Sequence, residues 1–166
     1  MAITVKPITI WRQQVEDSPG RLAASLVPFA AAGVDLQLVM GYHELGHGAR
    51  GILEFYPVTG ARMGKTAQAA GMQPARTPSL LVTGDNRAGL LQALAQALAD
   101  EGLNLGFLIA QVVGRRFSAV MGFEATTDLK RAVTVLKKAG AQPVRRRRPA
   151  RTPKAPPGAT KRPARR

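Results

Sequence analysis

The stretch of sequence that decides the fold occurs twice. Residues 16–22 read Glu-Asp-Ser-Pro-Gly-Arg-Leu, and residues 85–91 read Asp-Asn-Arg-Ala-Gly-Leu-Leu. The copies lie 69 positions apart, and the same shift places the Gly-Val-Asp-Leu of residues 33–36 on the Gly-Leu-Asn-Leu of residues 102–105. A repeat with a fixed period means that the chain is built from two related structural units.

Each unit shows the same order of local signals. An apolar run predicts a first strand, and a loop with Gly leads into a helix that ends at Gly33 or Gly102. Two strands and a second helix follow, and a short final strand is expected. The predicted strands are Thr4–Trp11, Val34–Tyr42, Gly51–Tyr56 and Pro74–Thr77 in the first unit, and Ser79–Thr83, Leu103–Val113, Phe117–Glu124 and Gln142–Val144 in the second. The predicted second helices are Ala61–Ala70 and Leu129–Ala139.

This order is the βαββαβ plan of ferredoxin-like folds. We therefore predict an α+β protein of two ferredoxin-like units packed together, with units at residues 1–72 and 73–144. Apolar residues on the inner strands are expected to form sheet faces, one of them covered by helices and the other available for packing between units. These residues are Leu36, Leu38, Met40, Leu105, Phe107 and Ile109.

The loop motif and the exit from the first helix resemble those of the ACT domain. Asp17-Ser18-Pro19-Gly20-Arg21-Leu22 matches the Asp-x-Pro-Gly-x-Leu pattern in full, whereas the second copy is one residue longer and has Ala88 in place of Pro. The resemblance extends over residues 3–144 as two tandem units. It implies a regulatory module that binds an amino acid where the loop after the first strand meets a neighbouring domain. The residues implied in binding are Asp17, Ser18, Pro19, Gly20, Asn86, Arg87, Ala88 and Gly89.

The residues of these loops also permit a purely structural interpretation. Free N–H groups and the helix dipole favour an anion at the start of a helix, and Asp17 or Asn86 could meet an ammonium or amide group. Alternatively, Asp17 and Ser18 only cap the helix. In that alternative Gly20 and Gly89 only permit close packing.

A different motif, His43-Glu44-Leu45-Gly46-His47, matches the pattern of zinc metalloproteases. That chemistry needs both imidazoles on one helical face, but the repeat places the motif at a hairpin turn between two strands. The chain has only two His, and it has no Cys. We predict a polar hairpin, with a lesser role in lining a ligand pocket or in adventitious metal binding as the second interpretation and a protease as the third. No metal site, catalytic residue or cofactor is predicted.

The last segment of the chain holds most of the charge. Residues 145–166 contain eight Arg, two Lys and no acid, so that they supply +10 of the net +14. With five Pro and no large apolar residue, this tail is predicted to be disordered. Its cations could contact nucleic acid without base specificity through counterion release. They are Arg145, Arg146, Arg147, Arg148, Arg151, Lys154, Lys161, Arg162, Arg165 and Arg166.

Composition and pattern together favour one function over two alternatives. The absence of Cys, of a signal-peptide pattern and of a long apolar run predicts a cytoplasmic protein with no membrane partner. We predict a non-enzymatic regulatory protein that binds an amino acid and could form a homodimer. The alternatives are a nucleic-acid-associated protein whose folded body is a scaffold, and the metalloprotease.

Overall fold

The structure is a computed structural model that describes residues 3–43 and 50–141. Within these ranges the chain forms eight strands and four helices. The strands are β1 (Thr4–Ile8), β2 (Trp11–Glu16), β3 (Leu38–His43), β4 (Arg50–Tyr56), β5 (Gln73–Pro74), β6 (Ser79–Asp85), β7 (Phe107–Val113) and β8 (Arg116–Gly122). The helices are α1 (Arg21–Ala31), α2 (Ala61–Ala69), α3 (Leu90–Asp100) and α4 (Thr126–Ala141). None of them is long and apolar enough to cross a membrane.

The strands form two four-stranded antiparallel sheets. The first sheet has the order β3-β4-β2-β5 and the second has the order β1-β6-β8-β7. In both sheets the strand before the loop motif is central, and the strand after the first helix is at an edge. This arrangement confirms the predicted α+β class with two ferredoxin-like units.

The start of the chain differs from the prediction. Residues Thr4–Trp11 do not form one strand of the first unit, because β1 and β2 are separated by Thr9 and Ile10 and belong to different sheets. Strand β1 pairs antiparallel with β6, from Thr4 opposite Thr83 to Ile8 opposite Ser79. Hydrophobic alternation identifies a strand but not its partner, so the repeat alone could not show this crossover. Pro7 suits an edge strand, since proline has no N–H to donate.

Strand β1 therefore occupies the edge position of the second sheet. The prediction gave an edge strand of this unit to Gln142–Val144, which lies outside the described residues. The short final strand of the first unit is confirmed, although it begins at Gln73 and ends at Pro74 instead of running to Thr77.

Each unit has its own hydrophobic core between its sheet and its two helices. In the first, the rings of Phe29 and Phe55 lie 5.0 Å apart, and Trp11 packs in the same cluster. In the second, Leu80 and Leu94 are fully buried. The strand β1 adds Val5 to this second core, so the first residues of the chain help to hold the second unit together.

The sheet faces that point away from the helices are also buried at their centres. On β4, Phe55 faces the first core, and strand alternation sends its neighbours Glu54 and Tyr56 to the other face. These two residues are nevertheless buried, as are Ile52 on the same face and Val120 on β8. Each sheet therefore has buried residues on both of its faces.

The predicted inner strands begin later than expected, at Leu38 and Phe107. Val34 donates its N–H to Phe29 at the end of α1, and Gln37 donates to Tyr56, so the chain turns here before it pairs. Leu36 and Leu105 consequently lie ahead of the strands and pack against the cores. The other four predicted sheet-face residues are half-buried strand residues.

Candidate functional site

The first loop motif connects β2 to α1 and leaves the start of the helix open. Gly20 is the N-cap residue and has a φ of 88°, a left-handed conformation that glycine adopts without strain. No side chain caps α1. The backbone N–H groups of Arg21 and Ala24 donate to the backbone carbonyl oxygens of Ser18 and Gly20. The interpretation that Asp17 and Ser18 act as helix caps is therefore wrong, because Gly20 occupies the N-cap position and neither side chain forms a capping hydrogen bond.

The same loop forms one wall of a cleft of about 210 Å³. Asp17, Ser18 and Gly20 line it from the loop, and Tyr42 and His43 line it from the edge strand β3. The structure thus brings the loop residues predicted from the repeat together with the end of the neighbouring strand. Pro19 is not among the lining residues.

Charged groups crowd this first cleft. Arg21 forms an ion pair with Glu16 (3.1 Å), and its Nε donates to the Ser18 hydroxyl (3.3 Å). The Nδ1 of His43 lies 3.2 Å from a carboxylate oxygen of Asp17. These side chains are about half exposed or more, so each pair contributes only about 0–1 kcal/mol to stability. Such weak ion pairs can exchange partners at small cost.

The second loop motif has the same backbone plan. Gly89 is the N-cap residue of α3 with a φ of 79°, and again no side chain caps the helix. A cleft of about 320 Å³ is lined by all four predicted residues of this loop together with the edge strand β7. The four residues are Asn86, Arg87, Ala88 and Gly89. Arg87 donates from Nη2 to the carbonyl oxygen of Gly140 (2.9 Å), in the last turn of α4.

The structure rules out the helical zinc-site geometry for His43. This residue ends strand β3 and pairs with Gly51 of β4, which is the hairpin arrangement that the repeat predicts. Residues 44–49, and with them Glu44 and His47, lie outside the described residues. In the parts of the chain that the structure describes, no group of three His, Cys, Asp or Glu side chains could hold a metal. His43 instead lines the first cleft.

A buried carboxylate, that of Glu54, was not predicted from the sequence. Glu54 is 6% exposed and accepts a hydrogen bond from the Tyr42 hydroxyl (3.2 Å). Burial raises the pKa of the Glu54 carboxyl, and the Tyr42 hydrogen bond and the nearby Arg12 guanidinium offset this only in part. The available signal was one acid inside the apolar run Ile52–Tyr56.

Because this carboxyl is buried, we predict that the free energy of unfolding depends on pH. Because the folded-state pKa lies above the ordinary value of 4.5, the folded state binds the proton more tightly than the unfolded state. The free energy of unfolding therefore falls as pH rises from about 4.5 through the folded-state pKa. Glu54→Gln removes this ionisation. It should raise the melting temperature at pH 7 and make the melting temperature depend less on pH between pH 4.5 and 7.

Thermal melts of wild type and variant across that pH range provide the measurement. Glu124→Gln, at an exposed position, is the matched control and should leave the pH profile unchanged. A Glu54→Gln protein that melts at a lower temperature than wild type at pH 7 would show that the ionised carboxylate stabilises the fold.

The ten basic residues predicted to contact nucleic acid, from Arg145 to Arg166, lie outside the described residues. The predicted disorder of this tail is therefore not described either. The positive charge of these residues is known from the sequence and not from the structure.

Comparisons with solved structures identify pairs of units with this fold. A protein from Bacteroides thetaiotaomicron superposes with a TM-score of 0.66 at 16% identity, over 81% of this chain and 89% of that chain. The regulatory subunit of aspartate kinase from Thermus flavus gives 0.56 at 15% identity, over 84% and 97%. The aspartokinase alpha and beta subunits give 0.55 at 18% identity, also over 84% and 97%. A comparison with protein-family models and a comparison with curated proteins find no match.

These structural similarities show the fold of the chain. The predicted tandem ACT-like architecture is confirmed, because the superpositions extend over both units of this chain and nearly the whole of the aspartokinase chains. The aspartate kinase chains from Thermus are named as regulatory subunits and not as catalytic ones.

Proposed function

We propose that this chain is a non-enzymatic regulatory protein that binds an amino acid at the loop between the first strand and first helix of its ACT-like units. The observation that carries the proposal is the first cleft, where the uncapped start of α1 and the Asp17 carboxylate line the same space. The regulatory subunits that share the fold support the same class of function.

The chemistry of an amino acid suits this cleft. Its carboxylate would accept hydrogen bonds from the N–H groups in the first turn of α1, where the helix dipole favours negative charge. Its ammonium group would lie against Asp17, in place of or beside His43. The cleft therefore offers complementary partners to both charged ends of a zwitterion, and the variable side chain would extend toward β3.

A thermal-shift screen with the twenty common amino acids tests this function. At least one of them should raise the melting temperature by several degrees at millimolar concentration. A ligand at one hundred times its Kd stabilises the folded state by about 2.7 kcal/mol. Asp17→Ala should abolish the shift by removing the partner of the ammonium group.

Asp35→Ala is the matched control, because Asp35 is exposed and lies outside the cleft. It should keep the ligand-induced shift. If none of the amino acids shifts the melting temperature of the wild type, the proposed function is wrong and the scaffold alternative takes its place.

The proposal includes self-association. Val39 on the edge strand β3 is 42% exposed. On the edge strand β7, Leu108 and Val112 are 42% and 49% exposed. Edge strands with exposed apolar side chains are surfaces on which a second chain can pair. These surfaces support the predicted homodimer.

Contact of the tail with nucleic acid remains a prediction from charge alone. Removal of residues 145–166 should abolish most binding to duplex DNA, because it removes ten cations. For the full chain, the logarithm of affinity should fall against the logarithm of salt concentration with a slope no steeper than about −9. Titrations at several salt concentrations measure this slope. A truncated chain that binds as tightly as the full chain would remove nucleic acid from the expected partners.

A further inference from the structure

The two loop motifs occupy equivalent places in their units, but their surroundings differ. The 69-residue shift places Asp17 on Asn86, Ser18 on Arg87 and His43 on Val112. The glycine at the N-cap is kept in both copies, with similar φ values. The backbone geometry is thus duplicated, whereas the side chains that would recognise a ligand are not.

The first cleft holds an excess of negative charge. Glu16 and Asp17 line it with their carboxylates, and Arg21 is its one lining cation among the described residues apart from the titratable His43. Since Arg21 is paired with Glu16, the ion-pair partner of the Asp17 carboxylate among the described residues is the exposed His43. A carboxylate in that position selects a positively charged group.

The second cleft has the opposite character. Among the described residues that line it none is acidic, and its charged residue is Arg87. The position of Asp17 is taken by Asn86, which is neutral, and that of His43 by Val112, which is apolar. An ammonium group would here meet the Arg87 cation and neutral amides, those of Asn86, Gln92 and Gln111, but no lining carboxylate among the described residues.

Arg87 also has a structural partner that the first loop does not offer. Its Nη2 donates to the carbonyl oxygen of Gly140, one of the last carbonyls of α4. A cation beside carbonyl oxygens toward the C-terminal end of a helix is stabilised by the helix dipole. The bond is half-buried and joins residues 53 positions apart, so it ties the second loop to the last helix of the unit.

We infer that the two loops have divided their roles. The first binds a ligand through its ammonium group, with Asp17 as the specificity-determining residue. The second is a structural joint in which Arg87 ties the loop to Gly140 of α4. This inference rests on the proposed function and adds that each chain binds one ligand, and that the amino group is required.

Calorimetric titration of the full chain with the amino acid found in the screen tests the division. We expect one ligand per chain and no heat from the same compound without its amino group. Asp17→Asn, which copies the second loop into the first, should weaken binding by more than about tenfold, the factor that a loss of 1.4 kcal/mol produces. The reciprocal variant, Asn86→Asp, should change the affinity by less than about twofold.

Arg87→Ala supplies a second readout. It should lower the melting temperature while the affinity and the stoichiometry stay as in wild type, and Arg87→Lys should recover part of the stability. Two ligands per chain, or equal losses of affinity from Asp17→Asn and Arg87→Ala, would overturn the division while the proposed function stands. If no amino acid binds the wild type, the proposed function fails and the assignment of the first loop fails with it.

Discussion

A chain that lacks residues 1–8 is expected to lose its second unit. This deletion removes β1, which completes the second sheet by pairing with β6 and also contacts α4. It withdraws Val5 from the second core. It also withdraws Ile3, which fills the space above Gly84 and Gly140.

The size of the loss follows from what is removed. Full burial of one aliphatic side chain contributes about 1.5–3 kcal/mol, and each backbone hydrogen bond adds about 0.5–1.5 kcal/mol. The sum of two side chains and a strand ladder is therefore on the order of the 5–15 kcal/mol by which a whole domain is stable. Urea unfolding followed by circular dichroism should show a cooperative transition with a lower midpoint and a smaller amplitude than that of wild type.

Lys6→Ala is the matched control for this deletion, because Lys6 lies on the same strand with its side chain exposed. The urea concentration at the midpoint of unfolding of this variant should stay close to that of wild type. A truncated chain that unfolds cooperatively at nearly the wild-type urea concentration would contradict the assignment of β1 to the second sheet.

Truncation of Phe55 is expected to have the next largest effect. This residue is fully buried near the end of β4 and packs its ring on Phe29. Phe55→Ala should lower the free energy of unfolding by about 3–5 kcal/mol, because it removes buried apolar atoms and leaves a cavity. Urea unfolding of the purified variant measures the change.

Val27→Ala provides the comparison on α1, where Val27 is 62% exposed. Its effect should stay within about 0.5 kcal/mol, as is usual for surface substitutions. A loss below about 1 kcal/mol for Phe55→Ala would mean that the first unit has no tightly packed core of its own.

The repeat predicted most of the fold because local signals and packing agree in both units. Gly33 and Gly102 follow the ends of α1 and α3 in left-handed conformations, as the sequence indicated. The location of β1 could not be predicted, since a strand of five residues with one buried side chain fits the edge of either sheet. Only tertiary packing against α4 selects the second sheet.

The candidate site was predicted in its backbone but not in its side-chain partners. The loops and their glycines follow from the motif, whereas the approach of His43 to Asp17 depends on the register between β3 and β4. The contact of Arg87 with Gly140 joins two ends of the second unit, and no local pattern indicates it. Glu54 was missed because a lone acid in a strand is usually exposed.

Amino-acid binding at the start of α1 is tested most directly by titrating isotope-labelled protein with the selected amino acid and following the chemical shifts of the backbone amides. We expect the largest changes at the amides of Gly20, Arg21 and Leu22, with smaller changes on β3. The amides of Gly89 and Leu90 in the second loop should stay unshifted. Saturable shifts centred elsewhere, or no shifts at millimolar ligand, would contradict amino-acid binding at the start of α1.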